Sequence, residues 1–203
     1  MRIGIDFDNT LVCYDRLFHR VALESGLIPA HVAQSKNAVR DYLRREGREP
    51  AWTELQGAVY GARMAEADAF PGAIEFLRQA RDHGCELFIV SHKTRTPIIG
   101  TPYDLHAAAR SWLEAHVGEA LVPAHRVYFE LTKEQKLARI GACGCMIFID
   151  DLPEILLAAG FPGHVGRWLF DPDDNFAASS GVKRVAAWSD LPAVLGLRAP
   201  AAA

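Results

Sequence analysis

The sequence predicts an α/β protein: a parallel sheet flanked by helices, with an all-helical insert after the first strand. Three observations carry this reading. Short apolar runs alternate with helical patterns along most of the chain, which argues for parallel strands joined by helices. The runs at residues 2–7, 85–90 and 145–149 are nearly continuous rather than alternating, as strands buried on both faces are. Residues 13–67 are different in kind, helical in pattern and without a convincing strand.

Taken in order, residues 2–7 form the first strand, which runs into Asp6-Phe7-Asp8. Within the insert, Leu17, Val21 and Leu23 suggest one helix, residues 33–45 a second and residues 52–65 a third, with Gly47 to Pro50 breaking the second from the third. A helix over 73–83 follows, with Pro71 just before its first turn, where a missing N–H costs nothing, and Gly84 closing it. The strand over 85–90 carries Ser91-His92-Lys93-Thr94 at its carboxyl end. After a loop marked by Pro97, Gly100 and Pro102, a helix over 103–116 has Leu105, Ala109, Trp112 and Leu113 as its apolar stripe. A strand at 126–129, a helix at 133–140, the apolar strand at 145–149 and strands at 165–170 and 182–187 complete the pattern. The core domain is therefore expected over residues 1–12 and 68–197, the helical insert over 13–67, and a disordered tail over 198–203.

Composition narrows the function classes. Half of the 203 residues are apolar or aromatic, so a sizeable core can be buried. The formal charge is −3 and no basic block occurs, which argues against a nucleic-acid polymer as partner. No apolar stretch is long enough to span a bilayer, so no membrane partner is expected. Asp6 and Asp8 interrupt any apolar leader segment. The four cysteines, Cys13, Cys85, Cys143 and Cys145, read as thiols of a reducing cytoplasm rather than as a disulfide framework. The oligomeric state stays open between monomer and homodimer.

Ligands of open α/β sheets collect beyond the carboxyl ends of the strands. Three predicted strands deliver polar groups there: Asp6 and Asp8, Ser91 to Thr94, and Asp150 with Asp151. A single aspartate after a strand is commonly a turn or helix cap. Two separate carboxylate pairs at strand ends are a different matter, because they repel unless a cation lies between them. Hard oxygen donors with no His/Cys cluster favour magnesium, bridged by Asp6, the backbone carbonyl of Asp8, and Asp150. Asp6, at the strand tip, suits a nucleophile on phosphorus. Asp8 suits the general acid that protonates the leaving oxygen and then activates water. Ser91 offers a hydroxyl to a phosphate, the cationic loop from His92 through Lys93 to Arg95 suits an anion, and a lysine supplies the remaining charge. Glu154 is a candidate partner for a metal-bound water or for Lys136, and Asp171 and Asp174 read as turn and cap residues.

These residues resemble the motifs of the haloacid dehalogenase (HAD) superfamily. Asp6-Phe7-Asp8-Asn9-Thr10-Leu11 is similar to its first motif, Ser91 to its second, and Phe148-Ile149-Asp150-Asp151 to its fourth. The third motif is a lysine upstream of that pair: Lys136, with Lys133 as the rival. The resemblance implies a Rossmann-like core with a helical cap in the position of residues 13–67. It also implies a magnesium-dependent phosphatase with Asp6, Asp8, Ser91 and Lys136 as catalytic residues and Asp6, Asp8 and Asp150 as metal ligands. Asn9, Thr10, His92, Lys93 and Asp151 would lie around the phosphate, with Thr10 orienting the acid/base loop. A looser similarity to the deoxyribonucleotidases rests on Phe70-Pro71-Gly72-Ala73, Phe148–Asp151, Leu169-Phe170-Asp171, Asn175, Arg184-Val185 and Trp188. The expected substrate is a small phosphorylated metabolite, with a 5′-nucleotide as the alternative and an inactive HAD-fold binding protein as the non-enzymatic one. In the insert, Tyr14, Arg16, Phe18, His19, Trp52, Tyr60 and Arg63 are candidates to touch a leaving group, against the simpler reading that Phe18, Trp52 and Tyr60 pack a small helical unit.

Overall fold

The computed structural model describes residues 1–197, so the expected tail at 198–203 lies outside the described residues. The described chain divides into two compact units, the first formed by Met1–Leu11, Ala69–His92 and the chain from Val117 on, the second by Val12–Asp68 and Lys93–His116.

The first unit is built on a six-stranded parallel sheet. Its strands are β1 (Arg2–Ile5), β4 (Glu86–His92), β5 (Val127–Glu130), β6 (Ile147–Asp150), β7 (Gly166–Phe170) and β8 (Val182–Val185), in the order β5-β4-β1-β6-β7-β8. The short strands β2 (Val12–Cys13) and β3 (Asp68–Ala69) make a separate two-stranded sheet, which the sequence pattern did not foretell. Strand β1 is central, pairing with β4 on one side and β6 on the other, and its Ile3 and Ile5 are fully buried. Gly4 lies between them because a β-carbon there would sit 2.5 Å from the Phe148 ring and 2.8 Å from the Cys145 sulfur.

Both faces of the sheet are covered. On one, Phe88, Val90, Phe148 and Leu169 pack with Leu137 and Ile140 of α6 (Lys133–Ala142) and with Ile155 and Leu156 of α7 (Pro153–Leu156). Helix α6 begins where Thr132 accepts a hydrogen bond from the Gln135 N–H (3.2 Å), while the Gln135 side chain accepts one from the Leu131 N–H (3.1 Å). On the other face, α4 (Ala73–Asp82) buries Phe76, Leu77 and Ala80, and Phe76 and Phe170 meet Trp188 at ring-centroid distances of 5.3 and 5.5 Å. A last short helix, α8 (Leu191–Val194), buries Leu191. Cys85, Cys143 and Cys145 are buried free thiols and Cys13 is half-buried.

The second unit contains α1 (Asp15–Glu24), α2 (Lys36–Arg45), α3 (Glu49–Tyr60) and α5 (Leu105–His116). Residues 13–67, expected as an insert, fall within it, and Lys93–His116 joins them. The reason lies on α5: the Trp112 indole N–H donates to the Ala67 carbonyl (2.8 Å), and Leu105, Ala109, Trp112 and Leu113 are buried. Ser35 caps α2 by accepting from the Ala38 N–H (3.0 Å), and the Lys36 N–H donates to Asp15 (2.7 Å), fixing the start of α2 on the start of α1. Phe18 and Trp52 are buried with ring centroids 5.0 Å apart, so these two rings pack the unit. Arg63 pairs with Glu24 (2.8 Å) and with Glu66.

The end of α3 is packed tightly. A β-carbon at Gly61 would lie 2.6 Å from the Tyr103 side chain. Gly61→Ala is therefore expected to destabilise the second unit by about 1–3 kcal/mol through overpacking. Urea unfolding followed by Trp fluorescence checks this; an unchanged midpoint would mean that Tyr103 has room to move.

Candidate active site

The sheet register builds the site before any side chain is considered. Ile5 of β1 is level with Ile149 of β6 and with Ile89 of β4. One residue further on, Asp6 and Asp150 emerge side by side, and the Asp6 N–H donates to the Ile149 carbonyl (2.9 Å). Ser91, two residues beyond Ile89, is buried at the carboxyl end of β4 opposite Phe129. Carboxylate oxygens of Asp6, Asp150 and Asp151 all lie within 4.8 Å of one another.

Lys136 reaches this group from the buried face of α6, one turn before Ile140. Its ammonium donates to Asp6 Oδ1 and to Asp150 Oδ2, both at 2.6 Å. Side-chain exposure is 2% for Lys136, 6% for Asp6 and 0% for Asp150, so these are buried charges held by one another. Burial opposes the lysine's charge, but the Asp150 and Asp6 carboxylates outweigh it and hold the ammonium above the ordinary lysine range. Burial pushes the Asp150 carboxyl up, Lys136 pulls it back, and the neighbouring Asp6 charge adds to the rise. The Leu152 N–H gives Asp150 Oδ1 a further partner at 2.9 Å.

Thr10 ties the first strand's loop to the end of β6. Its hydroxyl donates to Asp151 Oδ1 (3.1 Å) and accepts from the Asp151 N–H (3.0 Å). The turn that carries it is closed by the Leu11 N–H to the Phe7 carbonyl (3.1 Å), with Asn9 in the left-handed region at φ 57°. Asn tolerates that conformation better than most residues. Asp8, just before it, is half-buried.

No protein-family model matches the chain, and no curated protein does. Solved structures do match along nearly its whole length. A HAD family hydrolase from Deinococcus radiodurans R1, solved with bound phosphate and sodium, is 18% identical over 98% of each chain, with a TM-score of 0.61. The HAD-hydrolase YfnB from Bacillus subtilis, bound to magnesium, is 13% identical over 96% of this chain and 97% of that one, with a TM-score of 0.60. A dehalogenase is 14% identical over 95% of this chain and 96% of that one, with a TM-score of 0.59. The protein has the fold of the HAD-superfamily hydrolases.

On this HAD fold the sequence-read candidates separate. Asp6, Thr10, Lys136, Asp150 and Asp151 come together as described, and Asp8 and Asn9 follow on the same turn. Asp151, read from sequence as a residue around the phosphate, is a full member of the carboxylate group. His92 Nε2 lies 3.2 Å from the Leu131 carbonyl. Lys93 belongs to the second unit, where its ammonium lies 4.9 Å from the Tyr60 ring centroid. Of the two candidate lysines, Lys133 is half-exposed and pairs with Glu154, while Lys136 holds the two aspartates. Glu154, a candidate partner for a metal-bound water or for Lys136, accepts here from Lys133. Asp171 is a buried turn anchor, accepting from the Asn175 N–H (2.9 Å) and the Phe176 N–H (3.1 Å) and pairing with Arg184.

Sequence reasoning missed one contact at the turn. The Trp188 indole N–H donates to the Thr10 carbonyl at 3.1 Å, across 178 positions of sequence. No local signal pairs those two residues.

Proposed function

We propose that the protein hydrolyses a small phosphate monoester through an acyl phosphate on Asp6, with magnesium as cofactor. The observation that carries this is the Lys136 ammonium at 2.6 Å from both Asp6 and Asp150, beside a third carboxylate, at the carboxyl edge of the sheet. Lys136 engages Asp6 Oδ1 and Asp150 Oδ2, while Asp6 Oδ2 lies 3.5 Å from the Thr10 hydroxyl and Asp150 Oδ1 accepts from the Leu152 N–H, so a cation would share these oxygens with their present donors. The set is all hard oxygen, which fits magnesium. Asp6, Asp150 and the backbone carbonyl of Asp8 would hold that ion, which when bound supplies positive charge against the phosphoryl oxygens.

The chain's own residues then divide the chemistry. The Asp6 carboxylate attacks phosphorus while the ester P–O bond breaks, and Asp8 gives its proton to the departing oxygen. Asp8 next takes a proton from the water that attacks the phosphorus of the acyl phosphate, releasing inorganic phosphate and restoring Asp6. Lys136 offsets the charge of the group throughout and orients Asp6 for attack. The Ser91 hydroxyl is the candidate ligand for a phosphoryl oxygen, and Thr10 keeps the Asp8 turn in register with Asp151.

The aromatic content of the second unit bears on the substrate. Tyr14, Phe18 and Trp52 are each 3% exposed or less. Tyr14 and Tyr60 have centroids 5.0 Å apart, Phe18 and Tyr60 5.5 Å. The Lys36 and Lys93 ammoniums lie over the Tyr60 ring at 5.6 and 4.9 Å. Rings engaged in this way offer little flat surface for stacking, so nothing within the second unit favours a nucleotide over a small polar ester.

A panel of phosphosugars, other small phosphate esters, 5′-nucleotides and 2-haloacids, assayed with magnesium and with excess chelator, tests the reading. Phosphate release that needs magnesium and favours the non-nucleotide esters is expected. Magnesium-independent halide release would instead place the protein with the dehalogenase chemistry this fold also hosts. In that chemistry Asp8 would have no proton to give.

A further inference from the structure

Trp188 is completely buried and sits in the short helical turn Trp188–Asp190, next to α8. Its ring packs against Phe76 at 5.3 Å and Phe170 at 5.5 Å, and it lies beside Gly72 at the start of α4. The indole N–H donates to the Thr10 carbonyl. An indole has a single donor, and here it goes to a backbone carbonyl at the turn carrying Asp8, Asn9 and Thr10.

That carbonyl belongs to a strained place. Asn9, immediately before it, is left-handed, and Thr10, through its hydroxyl, is the link between the turn and Asp151. Rotation of the Asn9–Thr10–Leu11 backbone would move the Thr10 hydroxyl off Asp151 and carry Asp8 with it. The Leu11 N–H to Phe7 and the Phe70 N–H to the Leu11 carbonyl (2.9 Å) restrain the ends of this segment. Trp188 restrains its middle, from an element near the far end of the chain.

We propose that Trp188 is a positioning residue: its N–H fixes the Thr10 peptide and so sets where Asp8 stands relative to Asp6. This rests on the function proposed above. The indole touches no reacting group and acts through the turn alone. Loss of the N–H should lower turnover, since the acid must be aimed, and leave substrate binding nearly unchanged.

The test compares three proteins with the wild type. Trp188→Phe removes the N–H and part of the ring. Replacement of Trp188 by β-(3-benzothienyl)alanine keeps the shape and removes only the N–H. Phe76→Leu loosens the same aromatic cluster without touching Thr10, and serves as a control for stability. Expected is a fall in kcat of about tenfold in both Trp188 variants, with KM within about twofold of wild type, and an unchanged kcat for Phe76→Leu at a comparable loss of Tm. The acidic and basic limbs of the kcat pH profile should also shift in the Trp188 variants and not in Phe76→Leu. A benzothienyl variant with wild-type kcat, or equal losses in Phe76→Leu, overturns the proposal. If the wild type releases no phosphate from any ester, the proposed function fails, and magnesium titration by calorimetry decides this inference separately. Weaker binding in the Trp188 variants than in Phe76→Leu supports positioning of the turn; equal binding refutes it.

Discussion

Asp6→Asn is expected to lower magnesium-dependent phosphate release by at least about 10⁴-fold, because an amide cannot form the acyl phosphate. The fold should survive. Lys136 holds both Asp6 and Asp150, and after the substitution it keeps Asp150 as a one-to-one partner. Without magnesium the melting temperature should therefore stay close to that of the wild type. Added magnesium should stabilise the variant less than the wild type, since one of the three carboxylates has gone. Phosphate release and thermal melts with and without magnesium measure both arms. Retention of more than a tenth of the activity would sink the nucleophile assignment. So would a trapped phosphoryl-enzyme whose label maps by mass spectrometry to a residue other than Asp6.

The second large effect is on stability. Lys136→Met keeps most of the length of the side chain and removes the charge that two buried aspartates share. Breaking a buried ion pair from one side costs about 3–5 kcal/mol, because the remaining charge is left without compensation. Asp6 and Asp150 would then face each other with Asp151 nearby. Burial and the Asp6 charge already push the Asp150 carboxyl up, and loss of the ammonium removes the main opposing pull. A carboxyl whose folded-state pKa is raised costs stability as pH climbs above its unfolded value. The deficit should thus be smaller near about pH 5 than near about pH 8, and magnesium should reduce it. Lys133→Met, by contrast, touches a half-exposed pair with Glu154 and should change stability by no more than about 0.5 kcal/mol, with turnover intact. Urea midpoints at the two pH values check the set. Equal effects of the two lysine substitutions would contradict the assignment of Lys136.

Much of the site was legible because it is written at strand ends. An apolar run followed by Asp6-Phe7-Asp8 and another followed by Asp150-Asp151 place carboxylates on one edge once the strands are parallel, and parallel strands follow from the alternation with helices. Lys136 was legible less directly. Both candidate lysines lie in one helix three positions apart, and only the side of α6 that carries Leu137 and Ile140 tells which of them turns inward. The second unit was harder. The helix after the Pro97–Pro102 loop has the apolar stripe of an ordinary crossover helix, and an apolar stripe does not say which neighbour it will cover. Its Trp112 hydrogen-bonds Ala67, 45 residues earlier, and the chain divides accordingly. Trp188 was illegible for the same reason in stronger form. A buried tryptophan reads as core, and the destination of its one donor is settled by tertiary packing alone.

The register of β1 against β6 has a consequence for how this protein can vary. The separation of Asp6 from Asp150 is a backbone quantity, copied from the rung that pairs Ile5 with Ile149 and closed by the Asp6 N–H itself. Side chains in the layers beneath can change size or shape without resetting it, as long as the ladder keeps its count. A slip of one rung would turn Asp6 to the opposite face while leaving a sheet of similar content. The sheet thus serves as a ruler with its zero at Asp6. The core can drift widely in sequence and still return the same two carboxylates at the same spacing.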